Sequence, residues 1–227
     1  MNTAKISEIF LSYQGEGPYA GEQQLFIRFF GCSWACAYCD TVFDEYKIFS
    51  KESLLQEVLK YKDSYYSVSL TGGEPLDQIS FLKEFTILLK RISGKPIYLE
   101  TNGILYDNLR EILDSIDIIA MDFKLPSSTK KDSFWSYHER FLEIAKEKEV
   151  FVKAVVTENT TRDDIIRAGS IISKIDKKIP FILQPVDPRN GVGEPSYEIL
   201  DTFKKILLKK IKDVQIIPQW QKLMGVR

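Results

Sequence analysis

The chain has 227 residues, of which 44% are hydrophobic and 28% charged, enough to build a sizeable core without disulfide staples. Its 31 basic and 32 acidic residues leave a net charge of −1, which excludes a global field that would recruit nucleic acid or an anionic membrane. No apolar run reaches the roughly 18 residues of a membrane span. The N-terminus, MNTAKISEIF, lacks the basic stretch and apolar core of a secretion signal, so a cytoplasmic protein is expected.

Along the chain, runs rich in β-branched and aromatic residues predict strands at Ile6–Ser12, Leu25–Phe30, Val68–Thr71, Pro96–Thr101, Ile118–Lys124, Val150–Val156, Pro180–Val186 and Val214–Ile217. Amphipathic segments between them predict helices at Lys51–Tyr61, Ser80–Ile92, Asn108–Ser115, Ser133–Glu147, Arg162–Ile175 and Ser196–Lys210. The last would set Ile199, Phe203, Ile206, Leu207 and Ile211 on one face and lysines on the other. Strands separated by helices imply parallel pairing through right-handed crossovers. About six such units are too few for a closed eight-fold barrel of about 250 residues. The expected fold is therefore α/β, an open parallel barrel of partial (β/α)6 type, in one domain spanning residues 1–227. Gly and Pro gather at strand ends, at Gly15, Gly17 and Pro18, at Gly72, Gly73 and Pro75, and at Gly191, Gly193 and Pro195. In parallel α/β folds, ligands bind at the carboxyl ends of the strands.

All three cysteines lie in one loop, Cys32-Ser-Trp-Ala-Cys36-Ala-Tyr-Cys39, just after the predicted strand Leu25–Phe30. A disulfide framework would want an even count and wider spacing. Structural zinc usually takes four ligands, and the single histidine, His138, lies far off in a charged, helical stretch. Three thiolates without a fourth leave one iron of an iron–sulfur cluster open to a small molecule. Zinc binding or three incidental thiols are the other readings of this loop.

Ser69-Leu-Thr71-Gly72-Gly73-Glu74-Pro75 ends an apolar run. Its glycines permit close backbone approach, and Glu74 offers a carboxylate. By itself this is equally a plain strand–turn–helix junction. Leu99-Glu100-Thr101-Asn102-Gly103, Ala120-Met121-Asp122-Phe123-Lys124 and Leu183-Gln184-Pro185 also put polar groups after apolar strands, and could simply cap the next helix. Arg28 lies mid-strand among Phe26, Ile27, Phe29 and Phe30. If it is buried it requires an anion, and a carboxylate can accept two parallel bonds from it. The competing readings are a solvent-facing side chain or pairing with an internal acid.

The C-x3-C-x2-C loop and the GGEP turn together resemble the radical SAM superfamily. That resemblance implies a [4Fe–4S] cluster on Cys32, Cys36 and Cys39 whose free iron chelates S-adenosylmethionine (SAM). It also implies reductive cleavage of SAM to a 5′-deoxyadenosyl radical. Gln14-Gly15-Glu16-Gly17, the Phe26-x-Arg28-x-x-Gly31-Cys32 strand, Cys39-Asp40-Thr41, Thr71-Gly72-Gly73-Glu74-Pro75 and Glu100-Thr101-Asn102-Gly103 look like the 7-carboxy-7-deazaguanine synthase family. Its members contract 6-carboxy-tetrahydropterin with loss of ammonia, as Mg2+-dependent homodimers in queuosine biosynthesis. The resemblance implies substrate contacts from Tyr13, Gln14, Gly15, Glu16, Arg28 and Thr71. It implies SAM contacts from Tyr38, Cys39, Asp40, Gly73, Glu74, Asp122, Phe123, Lys124 and Gln184, and a Mg2+ ligand in Thr41. Two departures stand out: Asp122-Phe-Lys124 replaces a Ser-Pro-Lys type triplet, and Gln221 stands where a histidine is expected. The nearest rival within the superfamily is a glycyl-radical-enzyme activase. The chemistry needs an electron donor such as flavodoxin, and Lys204–Lys212 is either a solvated face or a docking site for that acidic partner.

Overall fold

The computed structural model describes all residues except Met1, Ala35, Asp40, Val42, Lys62, Asp63, Arg189, Asn190, Met224, Val226 and Arg227, and the side chain of Leu223. The elements in order are β1 (Thr3–Tyr13), β2 (Gln23–Phe29), β3 (Lys47–Ser50), α1 (Lys51–Leu59), β4 (Ser67–Gly72), α2 (Ile79–Ser93), β5 (Ile97–Thr101) and α3 (Tyr106–Ile112). They continue with β6 (Ile118–Asp122), α4 (Pro126–Thr129), α5 (Trp135–Ala145), β7 (Glu149–Val156), α6 (Arg162–Asp176), β8 (Phe181–Pro185), α7 (Tyr197–Leu207), β9 (Val214–Ile216) and α8 (Trp220–Leu223).

The strands form one sheet ordered β3-β1-β2-β4-β5-β6-β7-β8-β9. From β2 to β9 every pairing is parallel, as the strand–helix alternation requires. β9 and β3 are the two edges, so the barrel is open. The first strands depart from the parallel expectation, because β1 pairs antiparallel with both β2 and β3. Only residues 14–22 separate β1 from β2, too few for a crossover, so the chain must turn straight back. The four-residue β3 was too short to stand out in the sequence.

Helices begin at local caps: the Ser50, Thr161 and Ser196 side chains accept from Ser53, Asp164 and Ile199 N–H groups at the starts of α1, α6 and α7. α7 stops at Leu207 and buries Leu200, Phe203 and Leu207, whereas Ile199 is 39% exposed. Of the predicted apolar face, Phe203, Ile206, Leu207 and Ile211 pack on the core, and Leu200 takes the place expected of Ile199.

Period-two alternation sorts the strands into two faces. The outward side chains, among them Leu25, Ile27, Leu70, Leu99, Met121, Val152 and Leu183, pack under the helices in the main core. On the inner face, Tyr98, Ile118, Ala120, Phe151 and Ile182 form a second apolar plug, with Tyr19 and Ile217 packed on it. The plug fills the barrel at the amino ends of the strands and leaves the carboxyl ends open. Among the described residues no helix is long and apolar enough to cross a membrane.

Candidate active site

Above the plug, the same alternation turns polar side chains inward: Arg28 on β2, Thr71 on β4, Glu100 on β5, Asp122 on β6, Lys153 on β7 and Gln184 on β8. All six line a cavity of about 1040 Å³. Registers Arg28↔Thr71 and Asp122↔Lys153 set neighbouring members side by side. The cavity also takes in Tyr13–Glu16, all three cysteines, Thr41 and, from the C-terminal segment, Gln219, Gln221 and Lys222.

The cysteine loop leaves β2 at Gly31 and forms one corner of this cavity. Cys39 N–H donates to the Cys36 carbonyl at 3.1 Å, and Ala37 N–H reaches the Thr129 carbonyl at 3.2 Å, tying the loop to α4. Ser33 is held by Asp77 through N–H and hydroxyl bonds of 2.8 and 2.7 Å. None of the three cysteines is in a disulfide. Burial pushes the Cys32 thiol up to about 11 and raises that of Cys36, so cluster ligation must displace protons. Among the described residues no three His, Cys, Asp or Glu side chains converge on a single ion. Three cysteines on one loop lining the same cavity suit a cube, in which each takes a different iron.

The Gly72–Gly73 turn is sewn to this corner: Gly73 N–H donates to the Phe29 carbonyl and Glu74 N–H to that of Gly31, at 3.2 and 3.0 Å. Gly73 lines the cavity, but Glu74 is turned away from it. A SAM contact at this position would come from its backbone. Its fully buried carboxylate accepts from Leu76 N–H, the Thr101 hydroxyl and Asn102 N–H, bracing the end of β4 against β5. Burial outweighs those bonds and raises its pKa to about 7. Phe123 also points away from the cavity. Alternation sends its side chain to the outer core against Trp135, His138 and Phe181, so a contact from this position would come from its backbone. Asp40 lies outside the described residues.

The QGEG loop is itself braced. Gln14 Nε2 donates to Gln24 and Glu100 at 3.1 and 2.8 Å, and Gln14 Oε1 accepts from Glu16 N–H. Gly15 has a positional reason: a Cβ there would fall 1.7 Å from Gln221 Oε1. Trp220 N–H donates to the Gly15 carbonyl at 2.9 Å, so the C-terminal segment walls this side. Arg28 is only half-buried. Its Nε pairs with Glu8 at 3.0 Å across β1 and β2, and its guanidinium lies 5.5 Å from the Phe10 ring centroid.

Lys153 was missed at the sequence level. Its signal was nonetheless present: it is the one charge inside the apolar run Val150–Val156, the same pattern that singled out Arg28. It forms an ion pair with Glu16 and lies 3.7 Å from Asp122, which in turn pairs with Lys124 at 2.9 Å. Burial alone would raise the Glu16 carboxyl, but Lys153 and the amides of Gln219 and Gln221 hold it down at about 2. Burial would likewise lower Lys153 and Lys124; Asp122, with Glu16 for Lys153, overrides it, and both stay charged.

His138 lies on the helix α5, in the charged helical stretch expected, and is fully buried under Phe123 and Phe134. Nε2 lies 3.1 Å from the Asn102 carbonyl and carries its proton there. Burial, aided by Lys124, brings its pKa down to about 3. Unfolded histidine titrates near 6.5, so the unfolded chain binds the extra proton first and stability falls as pH drops from about 6.5 towards 3. Between pH 7 and 5 this one group costs about 2 kcal/mol. Denaturation at both pH values should show His138→Gln losing less stability than the wild type over that interval; equal losses would refute the assignment.

Comparison with known proteins agrees with this geometry. The sequence profile of the Radical SAM superfamily matches residues 26–168. A 7-carboxy-7-deazaguanine synthase of Geobacter sulfurreducens is 34% identical over 98% of this chain and 97% of its own length. The enzyme of the same name from Methanopyrus kandleri is 32% identical over 96% and 92%. Among solved structures, QueE from Escherichia coli superposes with a TM-score of 0.68 at 21% identity, covering 96% of this chain and 94% of that one.

Proposed function

The chain belongs to the 7-carboxy-7-deazaguanine synthase family of the radical SAM superfamily, and from that premise we propose how its cavity divides between cofactor and substrate. It is a radical SAM carbon–nitrogen lyase of queuosine biosynthesis, converting 6-carboxy-5,6,7,8-tetrahydropterin to 7-carboxy-7-deazaguanine with release of ammonia. The observation that carries the division is that three cysteines and a ring of inward polar side chains line one cavity of about 1040 Å³. That is ample for a cofactor beside a substrate. An activase that installs a glycyl radical on a partner would need a protein-docking surface, whereas here inward polar side chains line a cavity.

Cys32, Cys36 and Cys39 would hold the cluster, and Gly73 with Asp122, Lys124 and Gln184 would hold SAM. Asp122 Oδ1 and Gln184 Oε1 are buried with no hydrogen-bond partner, so each offers a vacant acceptor to a ligand hydroxyl or amine. Tyr38, between two ligands of the loop, would line the adenosyl side. When bound, cluster and SAM supply a carbon radical that can take hydrogen from the substrate. The chain's own part is positioning and exclusion of water: Tyr13, Gln14, Gly15, Glu16 and Thr71 would frame the pterin, while Arg28 would orient its carboxylate. Thr41 lines the same cavity, and its hydroxyl suits Mg2+, a hard cation that prefers oxygen donors.

The whole chain would work as one domain, as a homodimer in the reducing cytoplasm, where thiols stay free. The electron would come from an acidic carrier such as flavodoxin. Lys204–Lys212 is an unsuitable dock for it. Lys212 N–H bonds the Lys177 carbonyl and Asp213 bonds Phe181 at the amino end of β8, whereas the cysteine loop leaves the carboxyl end of β2.

Mass spectrometry of the reconstituted enzyme with SAM, reductant and 6-carboxy-tetrahydropterin should reveal 7-carboxy-7-deazaguanine; unconsumed substrate would overturn the reading. Arg28→Ala should weaken pterin binding about a hundredfold, roughly 2.7 kcal/mol for a lost bidentate contact. Cluster absorbance and SAM affinity should be unaffected. Unchanged pterin affinity would remove Arg28 from the site.

A further inference from the structure

Four buried charges cross the cavity in alternating sign: Glu16, Lys153, Asp122 and Lys124. Their side chains are 14%, 9%, 16% and 15% exposed. At one end Glu16 Oε1 accepts from Gln219 and Gln221, at 2.7 and 3.2 Å, which fastens the C-terminal wall to the QGEG loop. At the other, Lys124 Nζ lies 5.6 Å from the Tyr38 ring centroid, over the cysteine loop. Lys153 is the only member touching both carboxylates, and it reaches Glu16 across 137 positions of the chain. Removing one partner of a buried ion pair strands the other, so a change at either carboxylate must be felt at this ammonium.

We infer that Lys153 couples the two ligand sites, so that SAM on the Asp122 side and the pterin on the Glu16 side bind with positive cooperativity. The inference rests on the division of the cavity given above. Asp122 shares its Oδ2 between Lys124 and Lys153 and keeps Oδ1 buried without a partner. A ligand hydroxyl donating to Oδ1 draws carboxylate charge towards itself and loosens the hold of Asp122 on Lys153. The ammonium, already paired with Glu16, then loses its second carboxylate partner and strengthens that pair, which stiffens the QGEG loop and the C-terminal wall in the arrangement the pterin meets. The same chain runs in reverse, since coupling between binding equilibria is reciprocal. Lys153 is thus a positioning residue.

The test is equilibrium binding to the anaerobically reconstituted holoenzyme with reductant withheld, so that no turnover intervenes. SAM affinity is measured with and without 6-carboxy-tetrahydropterin, and pterin affinity with and without SAM. Each ligand should tighten the other by about tenfold, the same factor in both directions. In Lys153→Met the ratio should fall to about one while both ligands still bind, and Lys153→Arg should restore it to within about twofold of wild type. A merely structural lysine would lower stability and both affinities without altering their ratio. Should Lys153→Met misfold, the paired Glu16→Gln/Lys153→Met variant leaves neither partner of that ion pair charged and is expected to show the same ratio of about one. Independent binding in the wild type, or an undiminished ratio in the methionine variant, would overturn the coupling. Failure of the wild-type holoenzyme to bind the pterin at all would instead overturn the functional reading.

Discussion

Cys39→Ala is expected to abolish both the four-iron absorbance of the reconstituted protein and all turnover. The chain has only three cysteines, so no spare thiol can substitute. Cys39 is exposed and makes its backbone bond through N–H to the Cys36 carbonyl, which alanine preserves. Folding should therefore be nearly unaffected, and thermal stability of the apo-protein should match wild type. This separates loss of the cofactor from loss of the fold. Without the cluster nothing supplies the radical, so residual activity should fall below detection rather than to a fraction of normal. Iron and sulfide analysis, with absorbance after anaerobic reconstitution, checks it. A full four-iron content in the variant would show that the ligands have been misassigned.

Gly73→Ala is expected to have the next largest effect, through one methyl group. A Cβ at Gly73 would lie 1.8 Å from the Gly31 carbonyl oxygen and 2.9 Å from Cys32 Cβ. The obstacles are backbone and the first cluster ligand, so neither can swing aside as a flexible side chain would. The end of β4 must separate from the cysteine loop, breaking the bonds that Gly73 and Glu74 make to Phe29 and Gly31. SAM affinity should fall by at least about tenfold, because a displacement near 1 Å at a reacting centre can cost on the order of a hundredfold in rate. Cluster yield should fall with it. Gly15→Ala offers a contrast, since part of its obstruction is the Gln221 side chain, and Gln221→Ala should partly relieve it. A folded Gly73→Ala protein with normal cluster content and SAM affinity would refute the steric account.

The stretches that could be read from the sequence are those in which a short segment carries its own chemistry. Three thiols three and four residues apart share one loop whatever the rest of the chain does, and Gly72-Gly73 announces a close approach whatever lies opposite. At Phe123 and Glu74 a motif alone does not say which way the side chain faces. Strand alternation turns Phe123 to the outer core, and the donors of Leu76, Thr101 and Asn102 claim Glu74. Lys153 was overlooked for the opposite reason: it belongs to no motif, although its place in the strand alternation is the same as that of Arg28.

By itself, the sequence determined the cluster loop, the glycine turn, the strand–helix alternation and the parallel sheet from β2 onward, because each depends on spacing within one or two neighbouring segments. Only the tertiary structure decided which charges face each other. Glu16 meets Lys153 across 137 positions and Gln219 across 203, and His138 reaches the Asn102 carbonyl from the next helical layer. Such contacts are settled by strand order, by the inward or outward sense of each side chain and by the return of the C-terminus over the barrel mouth. Since a buried charge is tolerated only beside its partner, those long-range pairings, and not local motifs, govern the electrostatics of the cavity.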